Sequence, residues 1–338
     1  MAKKIKNIFT YIFLVFFFLL NDTLIFSQKV TFQKQELPGN IKTINCLRTE
    51  SKNILWIASG SGLFKIDNGE IQKFSKNDND KSLRINVIEI DQDGNKWLGT
   101  YSGKLLKFKN GKVLITIDFM EYLLPENSII TSIAISSNKI AKESKILLTT
   151  SDGQIFYYDT VKKEKGKIKS PVQNMIYSIN YGHDKVIWLC TSDGFYSKKN
   201  DGRWKQKNDL YLAYGIFKSN DKYWAIGRDQ SKKAVLMLYY NHNESGQKYV
   251  WKDLLLKKLP DKYLRLYELG FTTDSYAWIT SEKGLIRYNP LSGNIKIYNT
   301  KKSKNFKIKS VRHIAIQDNN TIWVSSSGKD LYKLTIKY

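Results

Sequence analysis

The chain has 338 residues, 42% hydrophobic and 25% charged, with a formal net charge of +24. Such a balance, with only 5 Pro, excludes a disordered or collagen-like chain, and 21 Tyr, 16 Phe and 8 Trp favour strands. The cationic surplus favours polyanions such as acidic glycans, lipopolysaccharide or a membrane surface, without implying specific nucleic-acid recognition, and Lys on exposed strands also discourages edge pairing.

Lys3, Lys4 and Lys6 precede an apolar run from Ile8 to Leu20, and the small residue Ser27 stands before Gln28. This is the layout of a secretory signal peptide over residues 1–27. The run of 13 residues is short of the ~20 that span a bilayer as a helix, so the chain meets a membrane only if this segment stays uncleaved. The expected location is periplasmic or secreted. Removing residues 1–27, which carry three Lys and one Asp, leaves a charge of +22 on a mature chain of residues 28–338.

The segment Lys29–Leu37, KVTFQKQEL, reads as a strand without a local partner. The first repeat follows in ILWIASGSGLFKID, an apolar pair around Trp56 with Gly62 six residues on. The same arrangement returns at Trp97 and Gly103, Leu147 and Gly153, Trp188 and Gly194, and Trp278 and Gly284. Looser copies stand at Trp224, which lacks the Gly, and Trp323, where Gly328 comes one residue early. The seven anchors are 41, 50, 41, 36, 54 and 45 residues apart, a spacing that suits four-stranded propeller blades with variable loops.

Each unit parses into strands a to d. An apolar strand a, such as INVIEID, leads by a polar turn into the anchor strand b. A Gly turn follows, then strand c, and a second turn (Asn68-Gly69, Asn110-Gly111, Asp201-Gly202, Ser292-Gly293) leads to the outer strand d. Strand b is apolar on both faces, so the anchors Trp56, Trp97, Leu147, Trp188, Trp224, Trp278 and Trp323 are packing residues between neighbouring sheets. The last unit, residues 306–338, lacks strand d, and residues 29–37 supply it if the ring is closed. The expected fold is all-β, one seven-bladed propeller of four-stranded antiparallel blades. Cys46 and Cys190 then fall on blades across the ring, too far apart for a disulfide.

The segment DQDGNKWLGTYSGKLLKF resembles the two-component regulator propeller repeats through Asp93, Gly94, Asn95, Trp97, Gly99, Thr100 and Gly103. The resemblance weakens to Trp56, Gly62, Leu63 and Phe64, to Trp188, Thr191 and Gly194, and to Trp278, Gly284, Leu285 and Tyr288 in other units. It implies a propeller similar to the periplasmic sensory part of hybrid two-component systems, with a protein partner or a glycan as its ligand.

Chemistry is sparse. His183 and His242 fall in turns, His313 falls on an inner strand, and no pair has metal-ligand spacing, so each reads as a turn or packing residue. Neither a phosphate loop nor Gly-x-Ser-x-Gly is present. Asp93 lies four residues before Trp97, where a sialidase Asp-box would need five. The b–c turns gather at the channel mouth and offer Tyr101, Asp152, Asp193, Arg228, Asp229, Glu282, Lys283 and Lys329 for a polar ligand. The fifth unit departs most from the repeat, so if one blade makes a specific contact it is expected to be this one.

The expectation is therefore a non-enzymatic, sensor-like module that binds a ligand or protein, with neither catalytic residue, metal nor cofactor. The alternative is a propeller enzyme, lyase or glycoside-acting, using Asp152, Asp193, Asp229 and Glu282 as acid and base.

Overall fold

Short apolar runs punctuated by Gly turns cannot bury themselves singly, and in the structure each group of four becomes one antiparallel sheet. The computed structural model describes residues 29–337 except 75–82, 120–121, 123–127, 139–142, 183–185, 200–201, 208–209, 220–221, 241–249, 254–258, 260–263 and 304. Seven sheets of four strands follow in chain order, six of them formed from consecutive strands. The seventh has Lys29–Gln35 as its outer strand, paired in register with Leu331–Lys337 of the last blade. The ring is thus closed by the N-terminal strand, as expected, and blade seven runs from His313–Ile316 outward.

Neighbouring blades bury their faces against one another. Strand b is buried along its whole length in blades two, four and six. Trp56 packs on Phe108 of blade two, Trp97 on Tyr158 of blade three, and Trp224 on Phe271 of blade six, so these three anchors reach across to the next sheet. Leu147 takes the same place in blade three and is fully buried. Cys46 and Cys190 are buried free thiols, and burial pushes both thiols up from the usual cysteine value.

Polar side chains fix the turns. Asp91, rather than Asp93, organises the DQDGNKW turn: its carboxylate accepts from the backbone of Asp93 at 3.0 Å and Asn95 at 2.9 Å, and from Trp97 Nε1 at 3.0 Å. Burial works against its charge, but these hydrogen bonds outweigh burial and hold the carboxyl below the usual aspartate value. Glu50 and Gln317 receive the indole N–H of Trp56 and Trp323 in the same way. Glu50 also takes Lys96 of the next blade, tying two blades together.

Many cations are used by the scaffold. Lys107, Lys333 and Arg287 stand directly opposite Trp97, Trp323 and Trp278 on strand c and lie over their rings at 5.5, 5.6 and 5.3 Å.

Of the expected two-residue turns, Asn68-Gly69 and Asn110-Gly111 have positive φ at both positions, as a type I′ hairpin requires. At Ser292-Gly293 only the glycine is left-handed: Asn289 closes a longer loop by accepting from Leu291 and Ser292. There the Asn side chain replaces the tight turn. Asp201, residues 1–27 expected as a signal peptide, His183, His242 and most of the fifth unit's extension lie outside the described residues.

Candidate functional site

Strand a of all seven blades lines a central cavity of about 420 Å³. One local irregularity recurs around it. In blades one to six the pairing of strand a with strand b slips near its start, at Ile44/Cys46, Ile85/Val87, Ile130/Ser132, Ile176/Ser178, Ala213/Gly215 and Leu266/Leu269. A bulge releases one residue from the ladder and re-aims its side chain. The released residues are Asn45, Asn86, Thr131, Tyr177 and Tyr214, and in blade six the slip spans Tyr267 and Glu268; all of them line the cavity.

Glu268 meets His313 of the neighbouring blade. His313 Nδ1 lies 2.9 Å from Glu268 Oε1, and Glu268 Oε2 accepts the backbone N–H of Ile314 at 3.0 Å. Their side chains are 18% and 25% exposed, His313 and Glu268 respectively, both to the cavity. Burial opposes ionisation of Glu268, but the imidazole beside it, the charge of Arg48 and the Ile314 N–H together hold its carboxyl below the usual glutamate value. An ionised carboxylate can only accept, so Nδ1 carries a proton, and in the neutral ring the basic nitrogen is Nε2. Further along strand a of blade one, Arg48 Nε is paired with Glu89 Oε2 at 3.2 Å. The site thus holds an imidazole, the carboxylate that orients it and a half-buried guanidinium paired with Glu89.

None of the eight residues expected at the mouth lines this cavity. The structure places them on the b–c turns, where several carboxylates serve the turns themselves. Asp193 accepts from Asn174 at 2.7 Å, Asp152 from Gln154 at 2.5 Å, Asp229 from the Lys233 backbone at 2.9 Å and Glu282 from the Arg265 backbone at 3.0 Å. Tyr101 is covered by Arg84 at 4.4 Å. Lys283 donates its backbone N–H to Ser281, and Arg228 and Lys329 end or follow strand b in blades five and seven. The pairing of His313 with Glu268 was missed because 45 residues separate them. The available signal was two ionisable residues at matching places on apolar inner strands, LYELGF and VRHIAI. Among the described residues no three His, Cys, Asp or Glu side chains converge as a metal site.

No protein-family model matches the sequence, and no curated protein matches it significantly. Solved structures do match. A streptogramin B lyase superposes with a TM-score of 0.69 at 14% identity, over 91% of this chain and 98% of that one. A catalytically inactive His-to-Ala variant of virginiamycin B lyase from Staphylococcus aureus, solved with quinupristin, matches with a TM-score of 0.67 at 15% identity, over 91% and 99%. The extracellular domain assigned to a hybrid two-component system from B. thetaiotaomicron matches with a TM-score of 0.67 at 15% identity, over 90% of this chain but 39% of that one. The fold is the seven-bladed propeller shared with these extracellular domains and with the lyases.

The expectation of a non-enzymatic sensor module, and the signal-transduction role attached to it, is corrected here. The propellers matched over almost their whole length are lyases, whereas the sensor-type chains are matched over well under half of theirs. A pairing assembled across two blades, as between His313 and Glu268, leaves no motif in the sequence.

Proposed function

We propose that this chain is an exported propeller enzyme of the lyase type, acting by proton abstraction in the central cavity. The observation that carries the reading is the His313–Glu268 pair, a base held in one tautomer by a carboxylate on the next blade. The full-length likeness in fold to lyases, one of which is inactivated by loss of a histidine, supports it.

In this reading His313 Nε2 takes a proton from a carbon next to an electron-withdrawing group. The freed electron pair forms a double bond, and a group on the adjacent carbon leaves with its bonding electrons and is then protonated. Glu268 stabilises the imidazolium as it forms, and Arg48 supplies positive charge near the developing anion. The Asp and Glu residues of the b–c turns are not needed as acid and base. With Tyr101, Arg228, Lys283 and Lys329 they form a rim that a polysaccharide or a protein partner would meet first. The cationic surface would draw anionic compounds toward it. Residues 1–27 would direct export.

The test offers the purified chain virginiamycin B, quinupristin and a panel of carbonyl compounds with a leaving group on the β-carbon. Gain of a conjugated double bond is followed by ultraviolet absorbance and NMR. Wild type should turn over at least one compound and His313→Ala none; turnover that survives His313→Ala refutes the reading.

A further inference from the structure

The released residues divide the cavity mouth into two unlike halves. In blades one to three they are Asn45, Asn86 and Thr131, and each spends its polar group on the scaffold. Asn45 Nδ2 donates to the Ile85 carbonyl at 2.8 Å, Asn86 Nδ2 to the Ile130 carbonyl at 2.9 Å, and Thr131 Oγ1 reaches the Ile176 carbonyl at 3.4 Å. This arc staples each blade to the next and presents small polar groups, with no ring, to a ligand.

In blades four to six the same position is tyrosine. Tyr177 and Tyr214 meet edge to face at 5.6 Å, and Tyr267 continues the row. At its end the Arg312 guanidinium lies 3.9 Å over the Tyr267 ring, with Arg265 beside Tyr214. The loops leading into blades four and five add Met175 and Tyr211, 47% and 45% exposed. Large apolar side chains left in water, beside a cavity and next to cations, suit a ligand that covers rings and carries negative charge.

We propose that blades four to six form a subsite for a flat aromatic ring attached to an anionic group, the ring lying on Tyr177 and Tyr214 and the anion facing Arg265 and Arg312. The subsite sits at the mouth of the cavity that holds His313, so as a statement about substrate class it rests on the lyase reading. As a binding site it is tested separately.

The probe is 2-naphthoate, titrated by calorimetry and by tyrosine fluorescence. It should bind saturably, with cyclohexanecarboxylate and 2-naphthol each weaker by about tenfold, because each lacks one of the two recognised features. Tyr214→Leu and Tyr177→Leu should each weaken naphthoate by a similar factor, and Tyr214→Phe, which keeps the ring, by less than about threefold. Arg312→Gln should weaken it and flatten its salt dependence. Asn86→Ala, on the polar arc, should leave it unchanged. Absence of saturable binding overturns the proposal, as does equal binding of cyclohexanecarboxylate or a loss in Asn86→Ala that matches Tyr214→Leu. His313→Ala should still bind naphthoate. Naphthoate binding without turnover would sink the lyase reading and leave the subsite standing, and turnover without naphthoate binding would do the reverse.

Discussion

Replacing Glu268 by Gln changes one atom and forces a choice on the cavity. The carboxylate accepts two hydrogen bonds, from His313 Nδ1 at 2.9 Å and from the Ile314 backbone at 3.0 Å. An amide has one oxygen to accept and one nitrogen that donates, so both cannot be met. If the oxygen faced His313, the amide nitrogen would oppose the Ile314 N–H and leave that backbone donor unsatisfied, at a cost of about 1–3 kcal/mol. The backbone cannot change its donor, whereas an imidazole can change its tautomer, so the amide nitrogen turns to Nδ1 and the ring carries its proton on Nε2. The base facing the cavity is then lost, and turnover should fall by about 10²–10⁴-fold. Nitrogen-15 NMR of labelled histidine reads this directly, since the chain has only three His. An unchanged tautomer, or turnover within about threefold of wild type, would refute the assignment. Acid provides a second reading. The Glu268 carboxyl is held below its ordinary value of 4.5, so its contribution to stability is complete above that pH and is lost as pH falls through the folded value. Glu268→Gln should therefore lose less stability than wild type between neutral pH and acid.

Three further tests probe the scaffold. Asp91→Ala strips the acceptor from two backbone donors and buried Trp97, and should cost about 2–4 kcal/mol by urea titration at pH 7; the deficit should shrink in acid, because the native carboxyl is also held low. Deleting residues 29–35 opens the ring and exposes the site where Phe32 packs 4.6 Å from Phe306 and 5.5 Å from Tyr298. That loss is at least about 3–5 kcal/mol for the ring alone, and an unchanged thermal midpoint would contradict strand closure. Gly69→Ala and Gly284→Ala both place a side chain at positive φ, but only at Gly284 would the added carbon meet a backbone oxygen, that of Tyr298 at 2.2 Å. Melting curves should show Gly284→Ala to be the more damaging by about 1–3 kcal/mol, and equal losses would mean that φ alone sets the cost.

The blades were legible because each needs the same local physics. An anchor sandwiched between sheets must be large and apolar, and the turn after it needs a glycine at positive φ, so Trp56 and Gly62 announce a unit wherever they recur. Ring closure was equally readable, since KVTFQKQEL had no partner nearby and the last unit lacked a strand. What the repeat obscured was which polar residue matters within it. Asp93 matches the motif, yet Asp91 holds the turn, because only the residue six positions before Trp97 places a carboxylate within reach of its indole N–H. The cavity was less legible still. Side chains from seven strands scattered along the chain converge there, and nothing local in VRHIAI shows that His313 will meet Glu268.

The bulge explains why scaffold and chemistry can be so separate in one repeat. A strand packed between two blades commits most of its side chains to packing and leaves few free for function. In blades two and three, releasing one residue near the start of strand a leaves the residues after it in register with strand b and adds a side chain that the cavity receives. The packing layer is accordingly almost uniform, with Leu47, Ile88, Ile133, Ile179, Ile216, Leu269 and Ile314 at one level. At the released position the blades instead carry Asn, Thr or Tyr. Substituting the uniform layer should therefore unfold the ring, whereas adding a ring at the varied one should change what the cavity binds. Swapping Asn86 for Tyr, with melting temperature and naphthoate affinity measured side by side, separates the two roles. If the added ring unfolds the chain as readily as a polar residue at Ile88 does, the released position is part of the core, and the division of labour argued from it fails.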